Sequence, residues 1–354
     1  MNTCDLPLEI FSGYFHGGHC QGIAVDTARK FIYYSFTTEL VKTDLNGRLI
    51  GSVTGLLGHL GCIDFCDADG KVYGSLEYKN DAIGKGILAN LGSDAKVEDA
   101  FYMAVFDADR IDRPGMDAAR DGVMRTVYLK EVVDDYKAVT PSGAHRHGCS
   151  GIDGTTFGPM PGSADGKRYL FVAYGVYGDV ARRDNDYQVL LAYDTSKWEC
   201  LLSPLCQEDM HHNGPERPDA KLFVYTGNTE YGVQNLEYDE YTGNYLMAVY
   251  RGKKPQFPNH AMYIVDGARP PRMETLAGVE PETRGLTLSL WPHGEFHAAS
   301  GVYGWEFRRG STGLCSLGDG FYYVSCDGRD DNGWYTKVRL YRWDGLAPLS
   351  PVEG

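Results

Sequence analysis

The chain has 354 residues, 43% of them hydrophobic, and a formal net charge of −14. That is enough apolar material for a substantial core, while the acidic balance argues against a nucleic-acid or anionic-membrane partner, either of which needs a basic face. Local arginines can still override the global sign, so a small acidic substrate stays open. The 44 glycines, 25 tyrosines and 14 phenylalanines suit tight turns between aromatic-rich strands. The nine cysteines form no CxxC pair, and Cys62, Cys149, Cys315 and Cys326 fall inside apparent strands, where a free thiol behaves as a small hydrophobe. The start has no secretion signal and no segment is apolar enough to span a membrane, so a cytoplasmic location is expected.

In chain order, 8–12 reads as a spare strand. A polar head, His19, then precedes an apolar strand at 22–26, with further strands at 31–36, 40–44 and 49–54. His59 heads the next unit (62–65, 72–76, 101–107), interrupted by a Gly-, Asp- and Ala-rich inserted loop at 79–99. A second insertion, 110–143, precedes His147, which heads 151–156, 169–174 and 188–194. Tyr231 heads 233–238, 245–250 and 262–266; after a third insertion at 283–305, Arg309 heads 313–317, 321–326 and 338–343. The third strands end alike, in apolar residues followed by Asp44, Asp107, Asp194, Asp266 and Asp344.

Recurrence at long intervals is the mark of a repeat architecture. Five four-stranded antiparallel units describe an all-β fold, a single β-propeller domain spanning 1–354 whose N-terminal strand completes the last blade. Six or seven blades remain open if the insertions hide short ones.

The innermost strand of each blade starts near the central channel, so the five heads should ring its mouth. His19, His59, His147, Tyr231 and Arg309 form that ring, with Gln234, Asn235 and Arg308 close behind. Two chemistries fit. Three neutral imidazoles and the Gln234 amide oxygen could hold a divalent cation such as Mn or Ca, leaving open positions for a substrate carboxylate. Alternatively the site is metal-free. Arg309 clamps the carboxylate, a histidine, His59 or His147, serves as base, and Tyr231 protonates the leaving oxygen. Trp305 and His211 are candidates for the lip of the pocket, with His145, His212, His293 and His297 weaker ones. A two-carboxylate glycosidase mechanism would turn to Glu230 or Glu306; Asp26, Asp64, Glu77, Asp153 and Glu237 also lie near inner strands, but no acid occupies a head position.

The segments 227–238 and 310–314 resemble β-propeller proteins of bacterial carbohydrate-utilisation systems. Among these the chain is similar to polysaccharide lyases acting on uronic-acid glycans, the rhamnose–glucuronate and oligogalacturonate lyases being nearest in kind. Those families are generally seven-bladed, whereas five units are counted here. The resemblance implies a metal on three histidines and a glutamine, corresponding by type to His19, His59, His147 and Gln234. It also implies β-elimination on a small acidic oligosaccharide, with glycoside hydrolysis or non-catalytic binding of a sugar or protein as the alternatives.

Overall fold

In a computed structural model that describes residues 6–343 and 349–353, mainly antiparallel sheets of three to six strands radiate from a common axis as five blades. Blade 1 runs outward through Cys20–Asp26, Phe31–Phe36, Glu39–Asp44 and Leu49–Thr54. Blade 2 is built from His59–Cys66, Lys71–Tyr78, Ala100–Asp107 and Met124–Tyr128. Blade 3 comprises Cys149–Pro159, Arg168–Val176, Tyr187–Tyr193 and Ala220–Tyr225, and is widened by Arg284–Leu288, which pairs parallel to its outer strand. Blade 4 has three strands, Glu230–Asp239, Asn244–Tyr250 and Met262–Val265. Its outer edge is bridged by Leu290 and Trp305.

Blade 5 closes the ring. Its inner strands are Leu314–Ser316, Phe321–Asp330 and Gly333–Arg342, and its outermost is the N-terminal Glu9–Phe11, paired antiparallel with Glu9 opposite Arg339. Ile10, buried on that strand, packs with Val338 and Leu340 in the core between blades 5 and 1. The spare strand therefore does what the repeat count required. The recurrent aspartate ending the third strands caps the following turn: Asp44 accepts from the Asn46 and Arg48 amides, Asp194 from Ser196 and Asp266 from Ala268. Asp344 lies outside the described residues.

The blade faces are apolar and aromatic, but the innermost strands meet through polar contacts. Each neighbouring pair of blades is joined by at least one such contact. The Ser35 hydroxyl donates to Gly61 O at 2.6 Å, the Phe157 amide to Asp64 at 2.7 Å, and the Tyr238 amide to Thr156 Oγ1 at 3.1 Å. The Ser316 amide donates to Glu237 at 2.6 Å, and Cys20 Sγ to Thr312 O at 3.4 Å. Asn235 sits at the centre, fully buried. Its Nδ2 donates to Gln21 O of blade 1 at 2.9 Å and to Ser311 O ahead of blade 5 at 3.0 Å, while Cys62 of blade 2 donates to its Oδ1 at 3.4 Å. Asn235 therefore ties blade 4 to three others rather than meeting a ligand, a correction to its expected place in the pocket. Replacing it by alanine strands two buried carbonyls, each worth about 1–3 kcal/mol. Asn235→Ala is expected to lose about 2–6 kcal/mol in urea denaturation; a loss under about 1 kcal/mol would contradict the keystone role.

Two insertions carry helices. The 79–99 stretch, expected as loop, folds into α1 (Ala82–Asn90), because Asp81 caps its start by accepting from the Gly84 amide at 2.9 Å and Gly92, at φ 63°, ends it. The 110–143 stretch holds the outer strand of blade 2 and α2 (Lys130–Lys137). No helix among the described residues is long and apolar enough to cross a membrane.

Candidate functional site

The inner strands do not start straight. Register shifts break the ladder between Cys20 and Gly22, Leu60 and Ile63, Cys149 and Gly151, and Glu230 and Val233. Such bulges re-aim side chains at a rim. Here they surround a cavity of about 680 Å³ at the axial mouth.

Four of the expected residues line it: His19, His59, Tyr231 and Gln234. Tyr231 reaches it from a left-handed backbone, φ 63°, with its carbonyl held by Gln234 Nε2 at 2.9 Å. The remaining expected residues lie elsewhere. His147 follows a reversal at Arg146–Gly148 in which it adopts φ 58°, and its ring packs against Phe223 in a different cavity. Arg309 and Arg308 are exposed and outside the cavity lining, with Arg308 directed to Glu306 at 3.4 Å. Trp305 is buried under blade 4, its ring 5.9 Å from that of Trp343. His211 is bonded to Thr126 on blade 2's outer strand at 2.8 Å. Glu230 pairs with Lys253 and Glu306 with Arg251, neither lining the mouth.

The expected metal set therefore fails to assemble: His147 is not beside His19, His59 and Gln234. No group of three or more His, Cys, Asp or Glu among the described residues is arranged to hold a metal ion.

Other residues complete the cavity. Glu77 is the cross-strand partner of His59, and Lys79 follows it off the same strand. Lys79 Nζ bonds Glu77 Oε1 at 2.5 Å and Ser150 O at 2.8 Å, and the Ile152 amide donates to Glu77 Oε2 at 3.1 Å. Asp153 of blade 3 accepts from the Cys62 amide at 3.2 Å. Glycine makes room for both carboxyls: a Cβ at Gly61 would run into Asp153, and one at Gly151 into Glu77. Tyr250 faces them from blade 4. Blade 5's long hairpin adds Arg329 and Trp334, the guanidinium 5.1 Å from the indole centroid and the indole 5.8 Å from the His19 ring. The bridge between Phe15 and Trp334 ties this hairpin to the N-terminal segment, which contributes His16. Helix α1 supplies an apolar wall through Ile83, Ile87 and Leu91.

The protonation states divide. Burial pushes His59 down to about 3, with the Lys79 charge adding to the effect, and burial lowers His19 as well; both imidazoles are neutral near pH 7. His59 Nδ1 is buried with no hydrogen-bond partner. Burial drives Asp153 well above the carboxylate range, with the Glu77 charge in the same direction, and raises Tyr250 to about 12. Burial also raises Glu77, but Lys79 opposes it, and Glu77 in turn holds Lys79 above its ordinary value. The cavity thus contains neutral bases, neutral acids and one closed ion pair.

A testable consequence concerns pH. Between about 3 and 6.5 the unfolded chain protonates His59 and the folded chain does not, so this residue makes stability fall as pH drops through that window. The raised carboxylates act in the opposite direction, but equally in a His59→Ala variant. Urea midpoints from pH 7 to 4 should therefore fall less in His59→Ala than in the parent protein; parallel slopes would refute the neutral, enclosed imidazole.

No family model matches the chain, and neither does any curated protein. Among solved structures it is similar to a GH43 beta-1,3-galactosidase with galactodeoxynojirimycin, at 12% identity over 94% of this chain and 92% of that one, TM-score 0.42. It is also similar to the PQQ domain of pyranose dehydrogenase from Coprinopsis cinerea, at 13% identity over 90% and 81%, TM-score 0.35. A protein of unknown function from Bacteroides caccae matches at 10% identity over 77% and 87%, TM-score 0.30.

Proposed function

We propose that the axial cavity is the catalytic site of a carbohydrate-active enzyme that cleaves a glycosidic bond to a uronic acid by β-elimination. The supporting observation is that His59, a neutral imidazole whose Nδ1 lies 3.8 Å from Glu77 Oε1, lines the same cavity as Tyr250 and Arg329. In this reading Arg329, not Arg309, neutralises the substrate carboxylate, which makes the neighbouring C5–H more acidic. His59, or His19 beside it, takes the C5 proton. The released electron pair forms the C4=C5 double bond, the C4–O bond breaks, and Tyr250 or Tyr231 gives its proton to the departing oxygen. Trp334 and the α1 wall offer apolar surface to the sugar faces.

A second reading rests on one specific observation, the enclosed Glu77 and Asp153. Two carboxyls held in different protonation states are what a hydrolase needs, the neutral one as acid and the ionised one as base or nucleophile. The two readings differ in product. Uronic-acid oligosaccharides incubated with the purified protein should give a rising ultraviolet absorbance from the conjugated enoate. New reducing ends without that absorbance would move the assignment to hydrolysis, and no product from any uronide would overturn the elimination reading.

A further inference from the structure

A second cavity, about 650 Å³, shares no lining residue with the first. It lies along the outer edge of blade 3, where Arg284–Leu288 adds to the sheet. His147 and Phe223 meet in it edge-on, ring centroids 5.1 Å apart. His147 is 3% exposed and its Nδ1 has no hydrogen-bond partner. A buried polar atom without a partner is costly and rare, so a ring held this way against a cavity is positioned to bond something that enters. The reversal that places it uses left-handed backbone at both His145 and His147, φ 67° and 58°, conformations that non-glycine residues seldom adopt.

The chemistry of the walls narrows the ligand. Lys221 and Arg146 face the cavity but are both committed to the buried Asp135, Arg146 at 2.8 Å, and Lys221 also bonds Glu131 at 2.8 Å. Asp184 is held from the other side by Arg182, at 2.8 and 2.7 Å. Exposed Arg284 and Glu280 contribute one charge of each sign. Nearly every charge is thus countered by a partner, leaving no net field to select an ion. What remains is a set of donors and acceptors beside apolar surface: Phe223, Leu286 and two exposed hydrophobics, Val139 and Met273, at 83% and 51%. Burial and the Lys221 charge keep His147 neutral, its pKa held down to about 4, so its ring offers one donor and one acceptor.

We propose that this cavity is a second, non-catalytic site that binds a neutral saccharide of one or two units, with His147 bonding a hydroxyl at its floor. Sugar hydroxyls both donate and accept, and the C–H face of a pyranose packs on apolar and aromatic surface, the combination present here. The proposal stands independently of the axial reading, because no residue is common to the two cavities.

The test is calorimetric titration and saturation-transfer NMR of the full chain with glucose, galactose, cellobiose and lactose. Two variants probe the site. His147→Asn removes the imidazole while tolerating left-handed backbone, and Met273→Glu places a charge on the exposed rim without touching the core. At least one sugar is expected to bind one-to-one, at least tenfold more weakly in each variant, and unchanged in His59→Ala, with thermal midpoints confirming that all are folded. The proposal is overturned if no sugar binds, if binding is lost in His59→Ala but kept in the two variants, or if citrate or inorganic phosphate binds there in preference.

Discussion

Lys79→Met is expected to lower stability by about 3–5 kcal/mol, the usual consequence of leaving one member of a buried ion pair uncompensated. Lys79 and Glu77 are 5% and 6% exposed with 2.5 Å between their charged atoms, so the loss of the ammonium leaves a largely desolvated carboxylate without its counter-charge. Glu77 can escape only by taking a proton, which sets the pH dependence. Burial already raises the folded-state pKa of Glu77, and without Lys79 it rises further above its unfolded value. The folded state is then penalised increasingly as pH climbs above about 4.5. The deficit should accordingly be larger at pH 8 than at pH 5. Turnover should fall with it, since Glu77 lies across the strand pair from His59. The double variant Lys79→Met/Glu77→Gln removes the charge as well as its partner and should recover most of the stability. Urea denaturation at both pH values decides: a double variant no more stable than the single would show that the pair is not the source of the loss.

His59→Ala should separate chemistry from stability in the opposite way. General acid–base groups contribute about 10²–10⁴-fold to rate, and turnover should fall by that much. Stability at neutral pH should change by less than about 1 kcal/mol, because His59 Nδ1 bonds nothing and the ring borders the cavity, so its removal strands no partner. Tyr250→Phe should likewise lose turnover. His147→Asn, in the other cavity, should leave turnover on uronides within about twofold of the parent. Rates on one substrate across the three variants are the check; a His59→Ala enzyme of full activity would remove the proposed base, and a dead His147→Asn would restore the original ring of three histidines.

The repeat pattern carried the architecture well. Polar heads before apolar strands and the apolar-then-Asp endings of the third strands, each a local signal repeated, led with the spare N-terminal strand to five closed blades. The mouth was legible where the blade head and the bulge after it act together: His19, His59 and Tyr231 reach the cavity from blades 1, 2 and 4. It was not legible in blades 3 and 5. The reversal at Arg146–Gly148 turns His147 outward, and the loop ahead of blade 5 presents its backbone, Ser311 O and Thr312 O, to the axis rather than Arg309. Glu77, named in the sequence only among acids near inner strands, and Lys79, not named there, sit at the end of a second strand, and the His59–Glu77 pairing brings them to the mouth. The register set by the Asp67–Gly70 turn alone would put Tyr78 opposite His59; the bulge between Leu60 and Ile63 shifts the pairing by one and brings Glu77 there instead. Arg329 and Trp334 come from a hairpin of two ten-residue strands, long enough to overhang the mouth, and nothing in a local pattern fixes where such a hairpin tip will land.

If the axial cavity acts on the carboxylate-bearing sugar itself, the carboxyl group decides the rate. Initial rates of bond cleavage should be compared on one uronic-acid oligosaccharide and on the same oligosaccharide with its carboxyl groups reduced to alcohols. Elimination needs the carboxylate to acidify C5, so the acid form should be cleaved with enoate formation and the reduced form not at all, and Arg329→Ala should lose most of the rate on the former. Equal cleavage of both forms, without an enoate, would rule out elimination and transfer the chemistry to Glu77 and Asp153.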